Sequence, residues 1–82
     1  MSKQDQVREY VTKVLRENKD DRDPVNDDGS LVTSGRLSSL DVVDVLTYLE
    51  TQFNYSMDPN EFDLEKFDSV NKIVALLENP PR

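Results

Sequence analysis

Two runs of apolar residues spaced by three and four decide what this chain can become. Val7, Tyr10, Val11, Val14 and Leu15 fall on one side of an α-helix, and Val42, Val45, Leu46, Leu49 and Phe53 do the same further on. No alternating run of strand length competes with them, so the fold class reads as all-α. Ser2, with Asp5 three residues later, offers a capping box for the first helix, whose pattern stops near Asn18. Ser38 and Asp41 repeat that spacing, which makes Ser38 the N-cap of the second helix and Ser39 its first helical residue. A third start is written at Asp58-Pro59-Asn60-Glu61, an aspartate cap followed by a proline where a helix tolerates one. Phe62, Leu64 and Phe67 sustain no long period, so this third helix is short. A fourth begins near Asp68, carries Val70, Ile73, Val74 and Leu77 on one side, and is stopped by Pro80-Pro81. The expectation is a single domain over residues 1–82 with four helices, the third minor, and loose termini at 1–2 and 79–82.

Between the first two helices lies a polar connection of about twenty residues, long for a compact domain, and such a loop is either functional or pinned by something. Leu31 and Val32 are the expected pins. The loop's Asp21, Asp23, Asp27 and Asp28 supply hard oxygen ligands of the kind calcium takes, but their spacing fails. An EF-hand started at Asp21 puts Val25 at the fifth position and Asn26 where a glycine must turn the loop. Started at Asn26, it ends on Leu37 instead of glutamate. No metal site is expected.

Composition narrows the chemistry further. At 82 residues the chain builds only a modest core, and it has neither histidine nor cysteine, so the usual general base, thiolate nucleophiles and the tighter zinc sites are absent. A serine hydrolase lacks both its histidine and a Gly-x-Ser-x-Gly elbow. Asp41 and Asp44 could pair as acid and base only if burial raised one of them, which an exposed helix face does not provide. The reading is therefore non-enzymatic. There is no N-terminal apolar run for a signal peptide and no stretch near the length of a membrane span, and a cytoplasmic monomer is expected.

Net charge is −7, and all of the imbalance lies in one stretch. From Leu37 to Glu65 there are seven carboxylates (Asp41, Asp44, Glu50, Asp58, Glu61, Asp63, Glu65) and no lysine or arginine. Such a single-sign stretch repels nucleic acid phosphates and anionic lipid and attracts basic protein surfaces. Ser39 opens the helix that carries this face, at the positive end of a helix dipole that favours an attached phosphate, with Leu40, Val43, Asp41 and Asp44 read as facing outward. Two readings stay open on the residues alone. Ser39 holds a covalent arm, or it is an ordinary part of a helix start on an acidic adaptor that binds a basic protein surface.

The residues also resemble the acyl carrier protein family. Ser30-Leu31-Val32, Leu37-Ser38-Ser39-Leu40-Asp41-Val42-Val43-Asp44-Val45, Leu49-Glu50 and Phe53 are similar to that family's motif loop and second helix. Phe62-Asp63-Leu64-Glu65-Lys66-Phe67-Asp68-Ser69-Val70 is similar to its third helix and the start of its fourth. The resemblance runs from about Val7 to Leu77 and implies a four-helix acyl-carrier bundle with a long first loop. It implies that Ser39 takes a 4′-phosphopantetheine arm from coenzyme A, attached by a separate phosphopantetheinyl transferase. It further implies that Leu40, Asp41, Val43, Asp44, Thr47 and Glu50 meet the transferase, a loading ligase and acyl-transferring enzymes, and that the cargo is an acyl or aminoacyl thioester. Ser38 departs from the family by standing where an aspartate is usual, which removes one charge beside Ser39 at little cost to the cap. The acidic second helix resembles fatty acid carriers, whereas Phe67-Asp68-Ser69-Val70 is similar to carriers served by stand-alone amino acid or specialised acyl ligases.

Overall fold

In a computed structural model the chain is described from residue 2 to residue 78. It forms three α-helices, α1 (Lys3–Lys19), α2 (Ser39–Gln52) and α3 (Val70–Glu78), and no strand among the described residues. The predicted loose C-terminus at 79–82 lies outside those residues. Ser2 is a working cap: its hydroxyl accepts the Asp5 amide at 3.1 Å. The reciprocal half of the box is not made, because the Asp5 carboxylate turns to Arg8 instead.

The expected third helix is two separate 3-10 turns, Pro59–Glu61 and Leu64–Phe67. Each turn starts on an aspartate whose carboxylate caps it, Asp58 taking the Asn60 amide at 2.9 Å and Asp63 the Glu65 amide at 3.0 Å. Side chains that bond to their own nearby backbone compete with helical hydrogen bonding, and two such caps five residues apart leave no room for an α-helical turn to propagate. The all-α reading stands, and the count of four helices becomes three plus these turns.

The core follows the apolar stripes. Val7, Val11, Val14 and Leu15 of α1, Val42, Val45 and Leu49 of α2, and Val70, Ile73 and Val74 of α3 are buried together with Leu31, Leu37, Tyr55, Met57 and Phe67. Burying a side chain of this size contributes about 1.5–3 kcal/mol, so the stripes are what hold the helices together. α1 ends on Asp20, which takes the left-handed conformation (φ 51°), and α2 is followed by Asn54 (φ 53°), both residue types that tolerate it.

The long loop is pinned at one buried residue, Leu31, with Val32 only half-buried. Its main fastening is polar, and periodicity gives no sign of it. The Asp68 carboxylate accepts the backbone amides of Leu31, Val32 and Thr33 at 3.1, 2.7 and 2.8 Å and the hydroxyls of Ser30 and Thr33 at 3.1 and 3.0 Å. The Asp68 carbonyl accepts Leu31 N–H as well, at 2.7 Å. Gly35, at φ 85°, turns the chain back toward α2 in a region other residues rarely enter. Two of the four aspartates that suggested calcium are already engaged: Asp21 with Arg36 at 2.9 Å, and Asp27 with Arg8 at 2.8 Å and Gln4 at 2.7 Å.

Candidate functional site at the start of the second helix

The first turn of α2 is fixed by a reciprocal cap. Ser38 sits in extended backbone and its hydroxyl accepts the Asp41 amide at 3.3 Å, while Asp41 Oδ2 accepts the Ser38 amide at 3.0 Å and the Ser38 hydroxyl at 3.1 Å. Two of the orphan donors at the helix start are thereby satisfied without using Ser39. Ser39 is exposed at the first helical position of a fourteen-residue helix.

Asp41 was expected on the outer face, and the structure buries it to 4 % exposure. Its second oxygen accepts Asn18 Nδ2 at 3.1 Å, and Lys19 Nζ stands 3.5 Å from the first. Burial pulls this carboxyl upward, but the Ser38 amide, Asn18, the Ser38 hydroxyl and Lys19 together outweigh it and hold it below the usual carboxylate range. Asp41 is thus a bolt between the end of α1 and the start of α2 instead of a contact offered to a partner. Its outward reading failed because the capping role that assigns Ser38 its place turns the Asp41 side chain back into the protein.

The remaining expected contact residues do share the outside of α2. Leu40 is 77 % exposed and Val43 49 %, large apolar side chains left in water, with Asp44, Thr47 and Glu50 exposed beside them. Phe62, half-covered by its ring contact with Phe67 at 5.8 Å, is a third exposed apolar group; the sequence places it on a supposed helix and gives no signal of its exposure. Among the described residues no cluster of three or more acids could hold a metal ion, and no helix is long and apolar enough to cross a membrane.

A phosphate ester fits this place on physical grounds. A helix N-terminus favours negative charge, Ser39 is exposed there, and the Asp41 carboxylate of the same turn is directed inward onto Ser38, Asn18 and Lys19. Comparison with known proteins points the same way. The family model of the phosphopantetheine attachment site matches residues 5–77. The D-alanyl carrier protein of Leuconostoc citreum is 32% identical over 75 residues, covering 89% of this chain and 94% of that one. The D-alanyl carrier protein of Leuconostoc mesenteroides subsp. mesenteroides is 30% identical over 79 residues, with 96% of each chain covered. The solution structure of a holo acyl carrier protein from Nitrosomonas europaea superposes with a TM-score of 0.72 at 25% identity, over 96% of this chain and 95% of that one. An exposed hydroxyl on a pre-capped helix, matched along nearly its whole length by such proteins, places the chain in the family of stand-alone carrier proteins with a covalently attached 4′-phosphopantetheine.

Proposed function

We propose that Ser39 bears the arm and that the cargo is a small aminoacyl group, loaded as a thioester by a ligase and passed to a transferring enzyme. The observation that carries this reading is the division between two neighbouring serines: Ser38 and Asp41 complete the cap, and Ser39 Oγ is left exposed with no structural duty. When bound, the group supplies a terminal thiol for the thioester. The chain's own residues do the positioning. The N-terminal dipole of α2 favours the phosphate, and the link from Asp41 to Asn18 and Lys19 keeps the root of the arm fixed relative to α1. The protein lowers no chemical barrier itself. It raises the effective concentration of a tethered group at each partner's active site. Leu40 and Val43, ringed by Asp44 and Glu50 with Thr47 between, are the proposed docking surface for the phosphopantetheinyl transferase and the loading ligase. Between fatty acyl and aminoacyl cargo, the name shared by the matched relatives, D-alanyl carrier protein, favours the second.

Intact mass after incubation with coenzyme A, magnesium and a broad-specificity phosphopantetheinyl transferase tests the assignment. The wild-type chain is expected to gain one phosphopantetheine and Ser39→Ala none, with the fold of the variant unchanged by circular dichroism. No gain by the wild type with any transferase would leave the acidic adaptor as the better reading.

A further inference from the structure

The leading amides of a helix have no acceptor within the helix, so its first turn is where it frays, and Ser39 sits in the first turn of α2. The reciprocal cap of Ser38 and Asp41 holds this turn from inside. The chain entering it is held at Leu37, the residue before the cap. Leu37 is 2 % exposed and Val42, the fourth residue of α2, is 0 % exposed, both in the core. These are the two positions at which an apolar pair fixes the entry angle of a helix. The Val42 amide donates to the Ser38 carbonyl at 3.0 Å, the first rung of the helical ladder.

Leu37 is held in turn by the end of the long loop. Its amide donates to the Leu31 carbonyl at 2.8 Å, and the Leu31 amide donates to the Asp68 carbonyl at 2.7 Å and to Asp68 Oδ1 at 3.1 Å. Between the two leucines the chain closes on itself, the Gly35 amide donating to the Val32 carbonyl at 3.0 Å and the Ser34 hydroxyl to the Ser30 carbonyl at 2.8 Å. The Ser30 hydroxyl donates to Asp68 Oδ1 at 3.1 Å, so the whole turn rests on that carboxylate. A continuous run of hydrogen bonds therefore leads from Asp68 through Leu31 to Leu37, and one peptide bond carries it to Ser38, the cap beside Ser39. Bonds to an ionised acceptor are roughly twice as strong as neutral ones, which makes Asp68 the firm end of this run.

Arm transfer depends on that firmness more than docking does. Ser39 Oγ bonds to the pantetheine-side phosphorus of coenzyme A, the bond to the leaving adenosine 3′,5′-bisphosphate breaks, and the hydroxyl proton passes to a base of the transferase. An attacking oxygen misplaced by about 1 Å can cost about a hundred-fold in rate. Val43, Asp44 and Glu50 of the proposed docking surface lie beyond the first turn of α2 and do not share its fraying.

We propose that Asp68 is a positioning residue for arm transfer: by holding Leu31, and through it Leu37, it keeps the first turn of α2 formed and Ser39 Oγ in place. This rests on the reading of Ser39 as the attachment point. The test measures arm transfer from coenzyme A to the full chain, and backbone amide exchange by NMR, for the wild type, Asp68→Ala and Asp68→Asn, which keeps one acceptor oxygen. Asp27→Ala is the control, because its carboxylate fastens an earlier part of the same loop, to Arg8 and Gln4. Asp68→Ala is expected to lower kcat about ten-fold with KM within about two-fold, and to speed exchange of the Leu37 and Val42 amides. Asp68→Asn should show a smaller loss in the same direction, and it carries the test alone if the alanine variant does not fold. Asp27→Ala should lose stability while kcat and those two amides stay as in the wild type. Wild-type kcat in folded Asp68 variants, a loss confined to KM, or an equal loss of kcat in Asp27→Ala overturns the positioning role while leaving the carrier reading intact. A wild-type chain that takes no arm at Ser39 overturns both.

Discussion

Replacing Ser38 with alanine removes the acceptor of the Asp41 amide and a donor to the Asp41 carboxylate, whereas the same change at Ser39 removes no side-chain hydrogen bond from the first turn of α2. Thermal or denaturant unfolding should therefore show Ser38→Ala losing about 0.5–2 kcal/mol and Ser39→Ala staying within about 0.5 kcal/mol of the wild type. Asp41→Ala should cost more, about 1–3 kcal/mol, because it strands the Ser38 amide and the Asn18 side chain in a partly buried place. Partner affinity of a folded Asp41 variant should fall less than that of an Asp44 variant, since Asp41 is not on the surface. These three positions show how far residue spacing carries. The Ser-x-x-Asp interval assigns Ser38 its cap from sequence alone, but the interval is silent on the third partner. That partner, Asn18, lies 23 residues away, and only the packing of α1 against α2 brings it to Asp41.

At the scale of elements, the main fastening of the long loop is one carboxylate, Asp68, that gathers five donors. The Thr33 amide is the largest of the causes that hold Asp68 far below the usual carboxylate range, with the Thr33 hydroxyl, the Val32 amide and Ser30 adding to it against the cost of burial. A folded value below the unfolded one means that this clamp is whole above the unfolded-state value near ~4 and is lost as pH falls through the folded value. Stability measured by urea unfolding should thus decline steeply on the acid side of about pH 4. Asp68→Asn should lower stability by about 1–3 kcal/mol at neutral pH and flatten that decline. If the variant's acid limb ran parallel to the wild type's, the clamp would not be the cause. The helical stripes were legible because burial imposes a period on the residues that form it. The clamp was not, because Asp68 next to Val70 reads as a helix start and nothing in its neighbours says that its acceptors' partners lie 35 to 38 residues back. The third helix misled for a related reason: Asp58-Pro59 does open a turn, and only Asp63, which caps a second turn of its own, reveals that the first does not continue.

Over the whole molecule, charge is segregated along the chain as it is in space. Residues 1–36 carry eight acids and seven bases, and three of those bases pair with acids of the same stretch, Arg8 with Asp5 and Asp27, Arg22 with Asp20, and Arg36 with Asp21, so that half is close to neutral. The stretch from Leu37 to Glu65 has no cation to spend, and only Asp41 among its seven acids meets one, Lys19 from α1. Asp44 and Glu50 therefore face solvent uncompensated beside Leu40 and Val43. An approaching basic partner feels this field before it makes contact, and the apolar pair gives it something to bury on arrival. Asp44→Lys and Glu50→Lys should accordingly slow modification by the transferase through the association step, with the turnover of bound protein little changed. The deficit should be largest at low ionic strength and shrink as salt brings the screening length to about 8 Å near 0.15 M. Leu40→Ala should behave in the opposite way, weakening the complex by a similar factor at every salt concentration because it removes buried apolar area instead of charge. Stopped-flow rates of arm transfer across a salt series separate the two. Charge-reversed variants that match the wild type at low salt would mean that the acidic face serves solubility and that recognition rests on Leu40 and Val43 alone.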